Sequence, residues 1–165
     1  MFYDIFSAID AAISIGAENC IVEAGTTPSQ ATMDALALYI NDRNGGSVVA
    51  LSKYIQAASK LTGFKSEEML NEIHRTGRLG VYDGVSLYPM SAAKKQASGE
   101  LLIPDKKLFG IAGRVGALDM KGEVRTYETE NNNKETIDLK ITGFSYGYSF
   151  NNDSLENICK VVITG

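Results

Sequence analysis

Glu123-Val-Arg-Thr-Tyr-Glu-Thr129, Asn131-Asn-Asn133, Thr136-Ile-Asp-Leu-Lys-Ile-Thr142 and Phe144-Ser-Tyr-Gly-Tyr-Ser-Phe150 together decide the reading of the fold. The first segment is rich in β-branched and aromatic residues. The asparagines tolerate the left-handed conformation that a tight connection needs. In the third segment Ile137, Leu139 and Ile141 alternate with Asp138 and Lys140, the period of a half-buried strand. Beyond Gly143 the apolar positions move to even numbers, Phe144, Tyr146, Tyr148 and Phe150. One extra residue at Thr142-Gly143, a β-bulge, keeps both apolar sets on one face. The pattern predicts a long, bent hairpin over 122–150 whose second arm runs from about 135 to 150. Two short strands meeting at a corner are the alternative. A two-stranded ribbon is marginal in water by itself, so its apolar face calls for a helix, another sheet or a neighbouring subunit.

Working outward, 165 residues predict one domain with an elongated appendage. An apolar fraction of 44% and a charged fraction of 22% are those of an ordinary globular chain. A net charge of −4 gives no global electrostatic footprint for sequence-specific nucleic-acid binding. The apolar runs are too short to span a bilayer and no basic region precedes the first of them, so neither a membrane anchor nor a signal peptide is expected. Cys20 and Cys159 fall in apolar strand candidates, which predicts buried free thiols in a reducing compartment.

The N-terminal half reads as helices alternating with short strands. Ile5, Phe6, Ile9, Ala12 and Ile13 have helical spacing over 3–15, with Gly16 as the stop. Cys20–Ala24 reads as a strand. Thr27-Pro28-Ser29-Gln30 predicts a helix start with Thr27 as the cap, and Met33, Leu36, Ala37 and Ile40 form its core-facing stripe up to Asn44-Gly45-Gly46. Ser47–Leu51 is a second buried strand. Ser52 is expected to cap a helix to about Leu61, ended by Gly63. Ser66 caps another, with Glu67 and Glu68 in its first turn and Arg75 in its last. Two strands separated by a helix predict a parallel pair.

After Gly77 strands dominate. Gly77–Tyr82, an Asp83-Gly84 turn and Val85–Tyr88 predict a hairpin, residues 89–100 a surface loop, and Lys107–Ala112 a strand after a turn at Pro104-Asp105. Leu155–Ile163 predicts a closing strand covered on both faces. The fold class is α+β, helices first and strands second, with the long β-hairpin in the second half.

The candidates for chemistry do not converge. Ser91-Ala-Ala-Lys94 matches a short serine-nucleophile pattern, but in a loop and without partner motifs. His74 is the single histidine, on a charged helix face. Gly110, Gly113 and Gly116 lack the dinucleotide-binding spacing and are expected to serve turns. Glu67 and Glu68 point about 100° apart on a helix. Lys94-Lys95 and Lys106-Lys107 read as solvated charges. Tyr127, Phe144, Tyr146, Tyr148 and Phe150 offer stacking surfaces for single-stranded nucleic acid; without a dense basic set, core or subunit interface is the favoured role. No catalytic, cofactor-binding or metal-binding residue is assigned, and no enzymatic activity is expected.

Several stretches resemble the C-terminal half of the major capsid proteins of tailed bacteriophages, a fold shared with encapsulin shells. They are Ser47–Ile55 as strand then helix, Gly77-Arg-Leu-Gly-Val-Tyr-Asp-Gly84 as strand–turn–strand, Leu102–Ala112 as proline turn and strand, and the closing hairpin with Tyr146-Gly147-Tyr148 and Asn151-Asn-Asp153. The resemblance covers most of the chain through loose motifs. It implies one capsid-type unit over 1–165, with an axial domain of helices around a small sheet over about 17–115 and a peripheral region from about 1–16 and 116–165. It implies a structural subunit that assembles with itself, as pentamers and hexamers, into an icosahedral shell around a phage genome. Contact with packaged DNA is then non-specific, no cofactor or membrane is involved, and the location is the virion capsid, assembled in the host bacterial cytoplasm. The family's N-terminal arm, extended loop and most of its spine helix have no counterpart here, which implies a part of a longer protein. Two rivals stand beside this reading. One is a tail or encapsulin-type shell component. The other is a small α/β ligand-binding domain or enzyme with its site in the loops after Ala24 and Leu51.

Overall fold

Apolar residues three and four apart shape the helices. In the computed structural model, which describes residues 2–61, 71, 80–93, 95, 96, 98–121, 125–131, 136–142, 145–150 and 152–165, helix α1 spans Phe2–Ala12 and buries Phe6 and Ile9. It ends before the expected residue 15, and Gly16 turns the chain at φ 96°. Strand β1 (Cys20–Glu23) follows, then α2 (Gln30–Asn41), whose buried residues include the expected Met33, Leu36, Ala37 and Ile40. The cap of α2 is Ser29, not Thr27: the Ser29 side chain accepts a bond from the Thr32 amide. Strand β2 (Gly46–Leu51) leads directly into α3 (Ser52–Ala58). Ser52 is not a cap there, because its hydroxyl donates instead to the Met90 carbonyl at 3.0 Å. The predicted helix after Ser66, with Glu67, Glu68, His74 and Arg75, lies outside the described residues, as does Gly63.

Strands β3 (Val81–Tyr82) and β4 (Val85–Met90) form the expected hairpin. Asp83 and Gly84 take φ of 46° and 77°. That is the type I′ arrangement whose twist matches a two-residue hairpin. β4 continues through Pro89, expected in a loop; this is tolerated because β3 has ended and only β2 pairs there. Strand β5 spans Lys107–Ala112, and after a 3₁₀ turn over Asn152–Asn157 the last strand, β10 (Ile158–Ile163), is buried at every position.

These strands make one six-stranded mixed sheet in the order β1-β10-β5-β2-β4-β3, and the fold is α+β. β1 pairs with β10, and β2 with β4, in parallel; the β10–β5, β5–β2 and β4–β3 pairs are antiparallel. β1 and β2 therefore run in the same direction but are not the neighbours that the sequence predicts. The closing strand and β5 come between them.

Alternation along β5 and β10 separates two cores. On one face α2 and α3 bring Met33, Leu36, Ile40 and Ile55 against Val48, Leu87, Leu108, Cys159 and Val161. On the other, α1 brings Phe6, Ile9 and Ile13 against Phe109 and Ile158, with the Phe6 and Phe109 ring centroids 5.2 Å apart. Both cysteines are free thiols, Cys20 half-buried and Cys159 buried, and burial pushes the Cys159 thiol up to about 12.

The chain divides into two compact units, residues 1–115 with 150–165, and residues 116–149. The opening helix and closing strand group with the sheet in the first unit. The second unit holds β6 (Gly116–Lys121), β7 (Arg125–Asn131), β8 (Thr136–Thr142) and most of β9 (Ser145–Phe150). β7 pairs with β8 antiparallel and β6 with β9, a nested connectivity like that of a hairpin. The first arm begins at Gly116, earlier than expected. The second is two strands with different partners, and the expected bulge residue Gly143 lies outside the described residues.

Gly110 sits mid-strand in β5 for packing, not for a turn: an added Cβ would lie 2.7 Å from Leu36 Cδ1 and 2.8 Å from Ile40 Cδ1. Gly110→Ala is expected to cost roughly 1–3 kcal/mol, as over-packed cores do. Urea denaturation of G110A alone and combined with Leu36→Ala checks this: partial compensation in the double variant is expected, and simple additivity would deny the contact.

Candidate functional site

The parallel strands β1, β10, β2 and β4 place their C-terminal ends on one edge of the sheet, with the start of β5 beside them. The loops after Ala24 and Leu51 therefore share an edge, and the polar groups there bind one another. Glu23 Oε1 accepts from the Gly25 amide at 3.0 Å, and Oε2 accepts from the Ser29 amide at 3.0 Å and the Thr32 hydroxyl at 2.6 Å. The bonds from Ser29 and Thr32, then the backbone amides, hold this carboxyl down at about 2. Asp105 Oδ1 takes the Tyr54 hydroxyl at 2.9 Å, the Lys106 amide at 2.8 Å and the Lys53 ammonium at 2.7 Å. Burial works to raise the Asp105 carboxyl, but these bonds, Lys53 first, hold it below its ordinary value. Carboxylates bonded in this way fasten the loops that carry them.

A second cluster lies under α1. Lys160 on β10 is 4% exposed, and its Nζ donates to the Asp10 carbonyl at 2.9 Å, the Asp10 carboxylate at 3.1 Å and the Ile13 carbonyl. The Lys107 ammonium binds the other Asp10 oxygen. Burial works to raise the Asp10 carboxyl, yet the bonds and charges of Lys107 and Lys160 carry it below its ordinary value. The lysine thus satisfies carbonyls at the C-terminal end of α1, where the helix dipole favours a cation. Lys106-Lys107, read as solvated charges, are both engaged, since Lys106 Nζ donates to the Gly165 carbonyl at 2.9 Å.

A third cluster ties α2 to the far side of the sheet. The Tyr82 hydroxyl donates to Asp34 at 2.6 Å, and the Gln30 amide donates to Asp34 at 2.8 Å and to the Tyr82 oxygen. Burial and then the bond to Asp34 push the Tyr82 phenol upward, so it stays neutral and serves as a hydrogen-bonded post. Separately, a cavity of about 560 Å3 opens among the end of α1, α2 and the 3₁₀ turn, lined in part by Asn19, Tyr39, Arg43 and Glu156.

The aromatic interface candidates are distributed over two strand pairs. Tyr127 lies on β7, while Tyr146, Tyr148 and Phe150 lie on β9, whose partner is β6; Phe144 lies outside the described residues. In register Tyr127 stands opposite Lys140, whereas Ile137, Leu139 and Ile141 stand opposite Glu130, Glu128 and Thr126. Register positions alternate between the sides of a ribbon. Tyr127 and the apolar row of β8 therefore take opposite sides. Ser91 lies in the exposed turn after β4, where its hydroxyl accepts from the Ala93 amide at 3.2 Å; Lys94 lies outside the described residues. Among the described residues no group of three or more His, Cys, Asp or Glu is placed to hold a metal ion, and no helix is long and apolar enough to cross a membrane.

Sequence reasoning missed Glu23, Asp10, Asp34 and Lys160. The one local signal was a lysine inside an otherwise apolar strand, Ile158-Cys-Lys-Val-Val-Ile163, which calls for a buried counter-charge. Comparisons with protein-family models, with curated proteins and with solved structures found no match.

Two outcomes follow from these clusters. Asp10→Asn is expected to cost about 3 kcal/mol, the scale of leaving a buried charge without its partner, because Lys160 is 4% exposed whereas Asp10 keeps Lys107 when Lys160 is removed. Urea denaturation of K160M, D10N and the double variant checks it, with a coupling energy near zero counting against the pair. The folded Glu23 carboxyl is depressed from 4.5 to about 2. Its contribution is therefore present above pH 4.5 and is lost as pH falls toward 2. A Glu23→Gln variant should show a shallower acid limb in melting temperature across that window, and an unchanged limb would contradict it.

Proposed function

We propose that this chain is a structural subunit that assembles with copies of itself into a closed shell, of the kind that the capsid proteins of tailed phages build around a genome. One observation carries the proposal. Among the described residues, the strands of 116–149 pair as two two-stranded ribbons, and the sequence of β8 and β9 carries alternating apolar rows. Such a ribbon is marginal alone and calls for a cover. A neighbouring copy supplies that cover in a symmetric assembly, where apolar patches and charge complementarity close rings by rotation.

The sheet-bearing unit supports the same reading. Its carboxylates at the sheet edge are held by loop amides, hydroxyls and lysines, as a rigid building block requires. The loops after Ala24 and Leu51, where a small α/β enzyme would place its site, are closed by Glu23 and by the Ser52 bond to Met90. On this proposal the partners are further copies in rings of five and six, contact with packaged DNA is non-specific, and the place is the virion capsid, assembled in the bacterial cytoplasm.

Light scattering over a wide concentration range, with negative-stain imaging of the same sample, tests the proposal. Rings of five or six, or a mass that rises with concentration, are expected; a strict monomer at every concentration would count against it. Tyr146→Ala is expected to weaken association more than it lowers the melting temperature. Equal loss of both would place Tyr146 in a core and remove it from the interface.

A further inference from the structure

The cavity beside the end of α1 lies wholly within the sheet-bearing unit, and neither the fold nor the shell proposal uses it. Its apolar lining is Ala12, Ile13, Ala17 and Leu155. The walls hold charges of both signs. The Arg43 guanidinium carbon sits over the Tyr39 ring, 3.7 Å from its centroid, and Arg43 donates one bond to the Tyr39 carbonyl at 3.2 Å. The stacking fixes the guanidinium, and its fork still has donors to offer. The Tyr39 hydroxyl donates to the Glu156 carbonyl at 2.7 Å and holds the 3₁₀ turn in place. Asn19 does the same, donating to the Leu155 and Ile158 carbonyls at 3.0 and 2.9 Å.

Glu18 and Glu156 stand exposed on this cavity, and neither they nor Arg43 has an ion-pair partner among the described residues. This contrasts with Glu23, which accepts three hydrogen bonds, and with Asp10 and Asp105, which pair with lysines. A simple anion fits poorly against two carboxylates. A simple cation fits poorly against a fixed guanidinium. A neutral apolar molecule would leave all three charges without partners. We propose that the cavity binds a small zwitterion with an apolar body, a free amino acid or a short peptide. Its carboxylate is held by Arg43, its ammonium by Glu18 and Glu156, and its side chains lie against the apolar lining of Ala12, Ile13, Ala17 and Leu155. The cavity volume of about 560 Å3 is in the range of small-ligand sites, about 300–1,000 Å3, and leaves room for a dipeptide.

Titration calorimetry of the whole chain with L-leucine, L-leucyl-L-leucine and N-acetyl-leucine amide tests this. Saturable binding of one of the first two is expected, and which of them binds more tightly separates the amino acid from the peptide. The doubly blocked analogue should bind at least tenfold more weakly, on the scale of a lost charge-assisted hydrogen bond. Glu156→Gln, at an exposed position, should weaken binding of the zwitterion without lowering the melting temperature. Arg43→Met should abolish the preference for leucine over leucine amide. Absence of saturable binding of either zwitterion at millimolar concentration, or equal binding of the blocked analogue, overturns the proposal.

Discussion

The last strand of the chain enters the interior of the sheet, and the rest of the sheet-bearing unit depends on that insertion. β10 is buried at all six positions and sits between β1 and β5, bonded in parallel to the first and antiparallel to the second. Cys159, Val161 and Ile163 join the core under α2 and α3, while Ile158 joins the core under α1. One strand therefore contributes to both layers. A strand in that position cannot be lost without exposing both cores, and it brings a lysine with it. The Lys160 ammonium is tolerable there because α1 ends beside it, so that the Asp10 carboxylate and two backbone carbonyls accept its hydrogen bonds. An unpaired ammonium in the same place would cost several kcal/mol. The strand thus constrains where α1 docks as well as where β1 pairs.

The same economy of polar groups marks most of the sheet-bearing unit. Glu23 closes the loop between β1 and α2, Asp105 closes the turn before β5, and Asp34 with Gln30 anchors α2 to Tyr82 on the edge hairpin. Each carboxylate meets donors from backbone or side chain, and the shifts of Glu23, Asp10 and Asp105 all favour the charged form. Their stabilisation belongs to neutral pH and fades in acid. The charges around the cavity at the end of α1 depart from this pattern. There Arg43 is held by an aromatic ring instead of a carboxylate, and two acids nearby are left for other partners.

The ribbon of residues 116–149 poses a different physical problem. Among the described residues its strands are paired two by two, and a two-stranded ribbon by itself is marginal in water. The register adds a detail that strand alternation could not supply: the Ile137, Leu139 and Ile141 row shares its side with Glu128 and Glu130, and Tyr127 shares the other with Lys140.

Local rules sufficed for the elements themselves. The 3.6-residue stripe of Met33, Leu36, Ala37 and Ile40, the Asp83-Gly84 turn, the strands at Ser47–Leu51 and Lys107–Ala112, and the free thiols are set by neighbours a few residues away, and all were legible. The cap of α2 was misplaced because Glu23, several residues upstream, reaches over the loop to the Ser29 amide. The clusters that stabilise this unit were not legible, because Asp10 meets Lys160, and Asp34 meets Tyr82, only after strands distant in sequence are ordered in the sheet. The amino-acid sequence by itself determined that this would be an α+β chain with helices first and strands last. The tertiary structure alone decided that β10 and β5 would separate β1 from β2, because strand order depends on which faces bury the most apolar surface together, and period and turn chemistry do not encode that.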